Sequence, residues 1–174
     1  MLTLVVGGAG SGKSAFAERM IERSDVAKRV YLATMEPFGD EAVARIEKHR
    51  AMRANKGFVT VERFTDLAGV TVPPDSAVLL EDLGNLCANE LFSPRGAGDG
   101  AVDAILRGVE HLRAQCRDLV IVSNEVFTAG TDYAGDTERY MSTLAYLNRK
   151  LAALSERVCE VSGGIATYYK GEEA

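Results

Sequence analysis

Three groups of residues in this chain have the types and spacing to do chemistry. The first is Gly7-Gly8-Ala9-Gly10-Ser11-Gly12-Lys13-Ser14, a phosphate-binding loop of the Walker A pattern Gly-x-x-x-x-Gly-Lys-Ser. Its glycines let the backbone wrap a polyphosphate with N–H groups pointing inward. Lys13 can neutralise the β- and γ-phosphates, and the Ser14 hydroxyl can ligate the magnesium ion that bridges them. The second group is Glu81-Asp82, which directly follows the apolar run 77–80. A carboxylate there can hold magnesium, directly or through water, or orient a nucleophile. Successive strand residues point to opposite faces, so only one of the two can face a nucleotide. The third is Arg45-Ile46-Glu47-Lys48-His49-Arg50-Ala51-Met52-Arg53. His49 and Arg53 are four apart and share one face of a helix. The flanking charges of Lys48 and Arg50 disfavour an imidazolium and attract a nucleotide phosphate. A neutral histidine can act as a covalent nucleophile, and attack on an α-phosphate would give a nucleotidyl-histidine. The same pattern also describes a solvated basic helix with an incidental histidine, and the residues alone leave both readings open.

These groups need elements to hold them. Residues 2–6 form an apolar strand that runs straight into the glycine loop, and Phe16, Ala17, Met20 and Ile21 make the stripe of a helix behind it. Strand, loop and helix in that order are the context that confirms the motif, and the helix N-terminus favours anions. Strands are predicted over residues 29–34 and 58–64. Asp40 is expected to cap a helix reaching Arg53, with Ala42, Val43 and Ile46 on its apolar side. Residues 72–75, Val-Pro-Pro-Asp, make a turn. The runs 77–80 and 119–122 are apolar on both parities, as strands covered on two faces are. Val102, Ile105, Leu106, Val109, Leu112 and Cys116 mark one helix. Tyr140, Leu144, Leu147, Leu151 and Leu154 mark another that starts near Asp136 or Thr137. Residues 158–161 form a last strand before Gly163-Gly164; residues 94–100 are expected to be a mobile loop, and 170–174 a frayed end. Strands separated by helices of this length define an α/β chain with a mostly parallel sheet. Ligands in such sheets bind outside the carboxyl ends of the strands, where Ser123-Asn124-Glu125 also falls. With no repeat and no low-complexity linker, residues 1–174 are expected to be a single P-loop nucleotide-binding domain.

Composition narrows the class. The chain is 47% hydrophobic and 26% charged, which is ordinary for a globular protein and excludes a disordered chain, a collagen or a coiled coil. No apolar run approaches the roughly 18 residues of a membrane span, and residues 1–15 lack the pattern of a signal peptide. A net charge of −5 argues against a nucleic-acid partner. Cys87, Cys116 and Cys159 are odd in number and lie far apart, and the histidines are only His49 and His111. Neither a zinc site nor a disulfide framework is expected; reduced thiols buried as small apolar residues in a cytoplasmic protein are.

A phosphate loop does not choose a reaction. Asn55-Lys56-Gly57-Phe58 lacks the Asp of a guanine-reading Asn-Lys-x-Asp, and no transporter ATPase signature is present. Small-molecule kinases and transferases remain. Gly7 to Ser14, Tyr31-Leu32-Ala33-Thr34, Arg45-Ile46-x-x-His49, Leu79-Leu80-Glu81 and Asn124-Glu125-Val126 occur in that order. On these segments, extended by Leu147-Asn148 and Leu151-Ala152, the chain resembles the adenosylcobinamide kinase/adenosylcobinamide-phosphate guanylyltransferase family of cobalamin biosynthesis. The resemblance implies a RecA-like P-loop fold and a homotrimer whose subunits share active sites. It implies phosphorylation of the aminopropanol hydroxyl of adenosylcobinamide by ATP or GTP, then transfer of GMP from GTP to that phosphate through a guanylylated histidine. His49 would be the GMP acceptor, and Gly7, Gly8, Ala9, Gly10, Ser11, Gly12, Lys13 and Ser14 would bind the triphosphate. Thr34, Met35 and Glu36 would line the nucleotide site; Arg50, Arg53, Glu62 and Glu81 fall at further nucleotide-contacting positions, Glu81 with Ser14 also as magnesium ligands.

The chain also departs from the family pattern. Phe127-Thr128-Ala129-Gly130-Thr131-Asp132 stands where the family has a Gly and then Gly-Ile-Val-Pro. Met141, Ser142 and Ala145 replace an Arg-Asp pair and a Gly, and Arg149 replaces the Gln after Asn148. These changes bear on the acceptor side. They keep two other readings in play: a monofunctional P-loop kinase with another acceptor, and a non-catalytic GTP-binding regulatory subunit.

Overall fold

The computed structural model describes residues 1–37, 39–125 and 134–172, leaving aside the side chains of residues 41, 42, 45, 48 and 52. The chain runs β1 (Leu2–Gly7), α1 (Lys13–Arg23), β2 (Arg29–Ala33), α2 (Gly39–Arg53), β3 (Phe58–Glu62), β4 (Ala77–Leu80), α3 (Leu83–Phe92), α4 (Ala101–Gln115), β5 (Asp118–Asn124), α5 (Asp136–Leu154), β6 (Arg157–Ser162) and β7 (Ile165–Lys170). All seven strands join one sheet in the order β3-β2-β4-β5-β1-β6-β7. Every neighbouring pair is parallel except the hairpin β6–β7. The sheet is the expected parallel α/β architecture, and β5 separates the phosphate-loop strand β1 from β4, the RecA-like arrangement.

The two cores follow from strand alternation. On one face Leu2, Leu4, Leu32, Val78, Leu80 and Ile121 pack against α3, α4 and α5 through Leu86, Ile105, Leu112, Leu144 and Leu151. On the other, Val5, Tyr31, Leu79, Val120 and Val161 pack against Phe16, Ala17 and Ile21 of α1. All four residues of β4 and the five central ones of β5 are buried. Strands closed on two faces read as unbroken apolar runs for that reason.

Three local expectations change. Helix α2 starts at Gly39, so Asp40 lies inside its first turn, where its charge still suits the helix dipole. Of its expected apolar stripe Val43 is 40% exposed and Ile46 half-buried, and among the described side chains of α2 only Arg53 is buried. The segment at 94–100 is tied down, because the buried Glu90 carboxylate accepts the N–H groups of Asp66 (2.6 Å) and Ala97 (2.9 Å). Two elements are additional. Helix α3 is capped by Asp82, whose Oδ1 accepts the Asn85 N–H at 3.1 Å. Strand β7 returns through Gly163 (φ 57°) and Gly164 (φ 80°), the paired left-handed conformations of a tight hairpin.

Candidate active site

The phosphate loop is built as its motif requires. Gly10 and Gly12 take positive φ angles of 70° and 90°. At Gly7 a Cβ would sit 2.6 Å from both Ser11 Oγ and Val161 O, so only glycine fits the turn out of β1. Helix α1 opens at Lys13 with no side-chain cap and no acid in its first turn, so its N–H groups and dipole face the loop without a competing carboxylate. The Lys13 ammonium donates to the carbonyl of Gly8 at 3.0 Å. The β6–β7 turn braces the loop from below, through the Gly164 N–H on the carbonyl of Ser11 at 2.8 Å.

Strand alternation separates Glu81 from Asp82. Glu81 continues the Ala77–Leu79 side and emerges on the α1 face; Asp82 turns to the other face, caps α3 and accepts Asn124 Nδ2 at 3.2 Å. Burial pushes the Asp82 carboxyl above its ordinary pKa, and the Asn85 N–H pulls the other way. Glu81 is therefore the acid on the face of the phosphate-loop helix. Its Oε1 lies 2.5 Å from Nδ1 of His49, with side chains 9% and 22% exposed respectively. The ring thus contacts a carboxylate, and of the flanking cations of the sequence pattern Arg50 is ion-paired with Glu62.

Below this pair lies Tyr31, 1% exposed, its hydroxyl 3.4 Å from the same nitrogen. Burial first, and then the charge of Glu81, hold the Tyr31 phenol protonated well beyond its ordinary range, against the opposing charge of Arg53. The Arg53 guanidinium stacks on the Tyr31 ring, 3.3 Å from Cζ to the ring centroid. Arg53 is 5% exposed, and its Nε and Nη1 have no hydrogen-bond partner among the described residues. A buried guanidinium with two unused donors suits an anion that arrives from outside.

Around these groups is a cavity of about 260 Å³, walled by Met35, Ile46, Arg50, Glu62 and Phe64 as well as His49, Arg53 and Glu81. A cavity of about 500 Å³ on the other side of α1, under β6 and β7, contains none of the candidate residues. The structure thus collects His49, Arg50, Arg53, Glu62, Glu81 and Met35. Glu36 is half-buried just beyond. Thr34 does not line the cavity: it is fully buried, its hydroxyl donates to the Asp82 carbonyl at 2.9 Å, and its carbonyl accepts Asn89 Nδ2 at 2.8 Å. It fastens β2 to α3 instead of presenting its hydroxyl to a ligand. Residues 127–132 lie outside the described residues, and so does the side chain of Lys48. Ala145, Asn148 and Arg149 line a shallow groove of about 550 Å³ with Glu125 and Val6. Sequence reasoning passed over Tyr31 as a site residue. It belongs to an apolar strand, and only the proximity of β2 to β4 reveals its role.

A parallel sheet carrying a Walker A loop between β1 and α1, with an acid ending a strand one removed from β1, defines a P-loop NTPase-fold protein. Residues 3–168 match the family described as cobinamide kinase / cobinamide phosphate guanyltransferase, and the chain belongs to that family. It is 33% identical to the bifunctional adenosylcobalamin biosynthesis protein CobU of Escherichia coli, over 98% of this chain and 100% of that one. It is 31% identical to the bifunctional adenosylcobalamin biosynthesis protein CobP of Pseudomonas aeruginosa, over 99% of each. Among solved structures it is similar to a Pyrococcus horikoshii protein, with a TM-score of 0.50 at 9% identity, covering 99% of this chain and 87% of that one. That last likeness speaks to the fold alone.

Proposed function

We propose that this protein phosphorylates adenosylcobinamide with ATP or GTP and then transfers GMP from GTP to the product phosphate through a guanylylated His49. One observation carries the reading beyond family membership. His49 stands in a cavity on the face of the phosphate-loop helix, beside a buried arginine with unused donors. An incidental histidine on a solvated helix would have no reason to be there.

In the kinase step the loop backbone and Lys13 hold the triphosphate, and positioning and electrostatics supply most of the rate. Among the described residues there is no cluster of three or more potential metal ligands. Ser14 and Glu81 are the residues that would hold a magnesium ion there. Magnesium would neutralise the charge developing between the β- and γ-phosphates. In the second step an imidazole nitrogen of His49 takes the α-phosphorus and pyrophosphate leaves. The acceptor phosphate then takes GMP from the histidine, so the transfer is ping-pong. Within one chain the phosphate loop and Glu81 end strands two spacings apart, about 10 Å. The second step has to close that gap, by a shift of α2 or by a phosphate loop of a neighbouring subunit in a homotrimer. Free thiols at Cys87, Cys116 and Cys159, and no described helix long and apolar enough to cross a membrane, support a cytoplasmic setting.

The test is incubation with magnesium and GTP labelled at the α-phosphate. We expect an acid-labile, alkali-stable label on the protein, release of pyrophosphate, and no label on His49→Ala. A label retained by that variant removes His49 from the mechanism. An unlabelled wild-type protein that still phosphorylates cobinamide leaves only the kinase.

A further inference from the structure

We propose that Glu81 and Tyr31 are positioning residues that aim His49, holding the proton on Nδ1 so that Nε2 is the atom that receives the guanylyl group. The inference rests on the guanylyl-histidine reading above and fixes what that reading leaves open: which nitrogen reacts, and what steadies it. The geometry is specific. Glu81 Oε1 lies 2.5 Å from Nδ1, and an ionised carboxylate can only accept. Nδ1 must therefore supply the hydrogen, which puts the lone pair of the neutral ring on Nε2. Glu81 is itself constrained: it is 8% exposed, and the buried Tyr31 hydroxyl lies 3.4 Å from the same ring nitrogen that Glu81 contacts. Arg53 stacks on the Tyr31 ring and limits its movement. The resulting cluster of Tyr31, Glu81 and His49 is the orienting carboxylate arrangement that nucleophile–base pairs on unrelated folds use.

The arrangement also balances the chemistry without a proton shuttle. The Nε2 lone pair attacks the α-phosphorus, a P–N bond forms, and the bond from that phosphorus to the bridging oxygen breaks. Pyrophosphate leaves with the bonding pair. The ring is now a cation with hydrogen still on Nδ1, and Glu81 sits against that charge. In the second half an oxygen of the acceptor phosphate attacks the same phosphorus, the P–N bond breaks, and its electron pair returns to Nε2. The ring is neutral again, with its proton where it began. A guanylyl-imidazole kept cationic is a better leaving group than a neutral one, so the same contact serves formation and breakdown.

The experiment identifies the modified nitrogen and times its formation. Wild-type protein labelled from α-labelled GTP is digested in alkali, and the guanylyl-histidine isomers are separated against standards. The Nε2 isomer is expected. Rapid-quench labelling of Glu81→Gln should be about 10²–10⁴-fold slower than wild type. Tyr31→Phe should be slower by roughly threefold to tenfold, the loss of one hydrogen bond. In Tyr31→Phe, half-saturation by GTP should stay within about threefold. Glu81→Asp should recover part of the rate, which separates orientation from folding, and Tyr31→Phe removes one oxygen without altering packing. A label on Nδ1, or Glu81→Gln labelled at the wild-type rate, overturns the inference while leaving His49 as the acceptor. An absent label on wild type overturns the guanylyl-histidine reading itself, and this inference with it.

Discussion

Replacing Arg53 with methionine should move stability and nucleotide binding in opposite directions. In the free protein the guanidinium is 5% exposed and leaves Nε and Nη1 without partners among the described residues. Each buried, unmet donor costs about 1–3 kcal/mol. Against that stands the cation–π contact with Tyr31, worth about 0.5–2 kcal/mol. Methionine fills similar space, keeps contact with the ring and removes both donors. The balance centres on about 3 kcal/mol in favour of Arg53→Met, in the absence of nucleotide. With GTP present that advantage shrinks. One charge-assisted hydrogen bond to phosphate, worth about 1.5–3 kcal/mol, is lost, which weakens binding by about 10–150-fold. Urea unfolding with and without GTP, together with GTP titration, measures both quantities on one variant. A methionine variant that is less stable than wild type yet binds GTP equally well would refute the reasoning and return Arg53 to a purely structural role.

Three further outcomes are expected. If a neighbouring subunit closes the gap to His49, mixed oligomers of Lys13→Ala and His49→Ala chains should take up α-label that neither variant takes alone; if α2 closes it within one chain, mixing should restore nothing. Gly7→Ala should abolish nucleotide binding in a titration with either ATP or GTP, because its Cβ would meet the Val161 carbonyl at 2.6 Å and the backbone of β1 would have to shift. Stability should fall as pH rises above 9. Burial pushes the thiol of Cys87 from 9.0 up to about 12 and that of Cys159 to about 11, so the folded state keeps protons that the unfolded state releases. The stabilisation is complete below the unfolded value and is lost through the window 9–12, at about 1.4 kcal/mol per pH unit per thiol. Urea unfolding at pH 8 and 10.5 measures it, and Cys87→Ala should flatten the slope.

What the sequence discloses and what it hides divide along the chain's distances. The phosphate loop is a local object: its glycines, its lysine and the strand and helix around it lie within some 20 residues, and every part is legible without coordinates. The buried strands β4 and β5 are equally plain because four or more apolar residues stand in a row. Helix α3 escapes notice because Gly84, Asn85 and Asn89 dilute its propensity, although Asp82 is a recognisable cap. Strand β7 is announced by Gly163-Gly164, which read only as an end. The meeting of His49 with Glu81 is a different matter. It depends on β4 taking the place beside β2, and no periodicity states strand order. From spacing alone the histidine is flanked by cations and the glutamate belongs to a metal; in the fold they face each other. Thr34 shows the converse, a polar residue at a strand end whose hydroxyl is used inside the protein.

The anchoring of α2 ties these observations to the two-step chemistry. A surface helix is ordinarily held by an apolar stripe, but α2 buries only Arg53 among its described side chains, and Val43 is exposed. Among its described side chains, three contacts tie it to the sheet: His49 on Glu81, Arg53 on Tyr31, Arg50 on Glu62. Each of the three is a group with which a nucleotide phosphate can interact. A triphosphate that engages Arg50 and Arg53 therefore draws on the interactions that fix α2, while the phosphate loop, braced by β7 and the core under α1, stays in place. A ligand shifts an equilibrium only through its difference in affinity for the two states. Here the difference is built in, because the donors that phosphate would satisfy are unmet in the present position of Arg53. If α2 is what closes the gap over β5, the part of the site that moves is the part held by exchangeable charges, and the part that stays is held by packing.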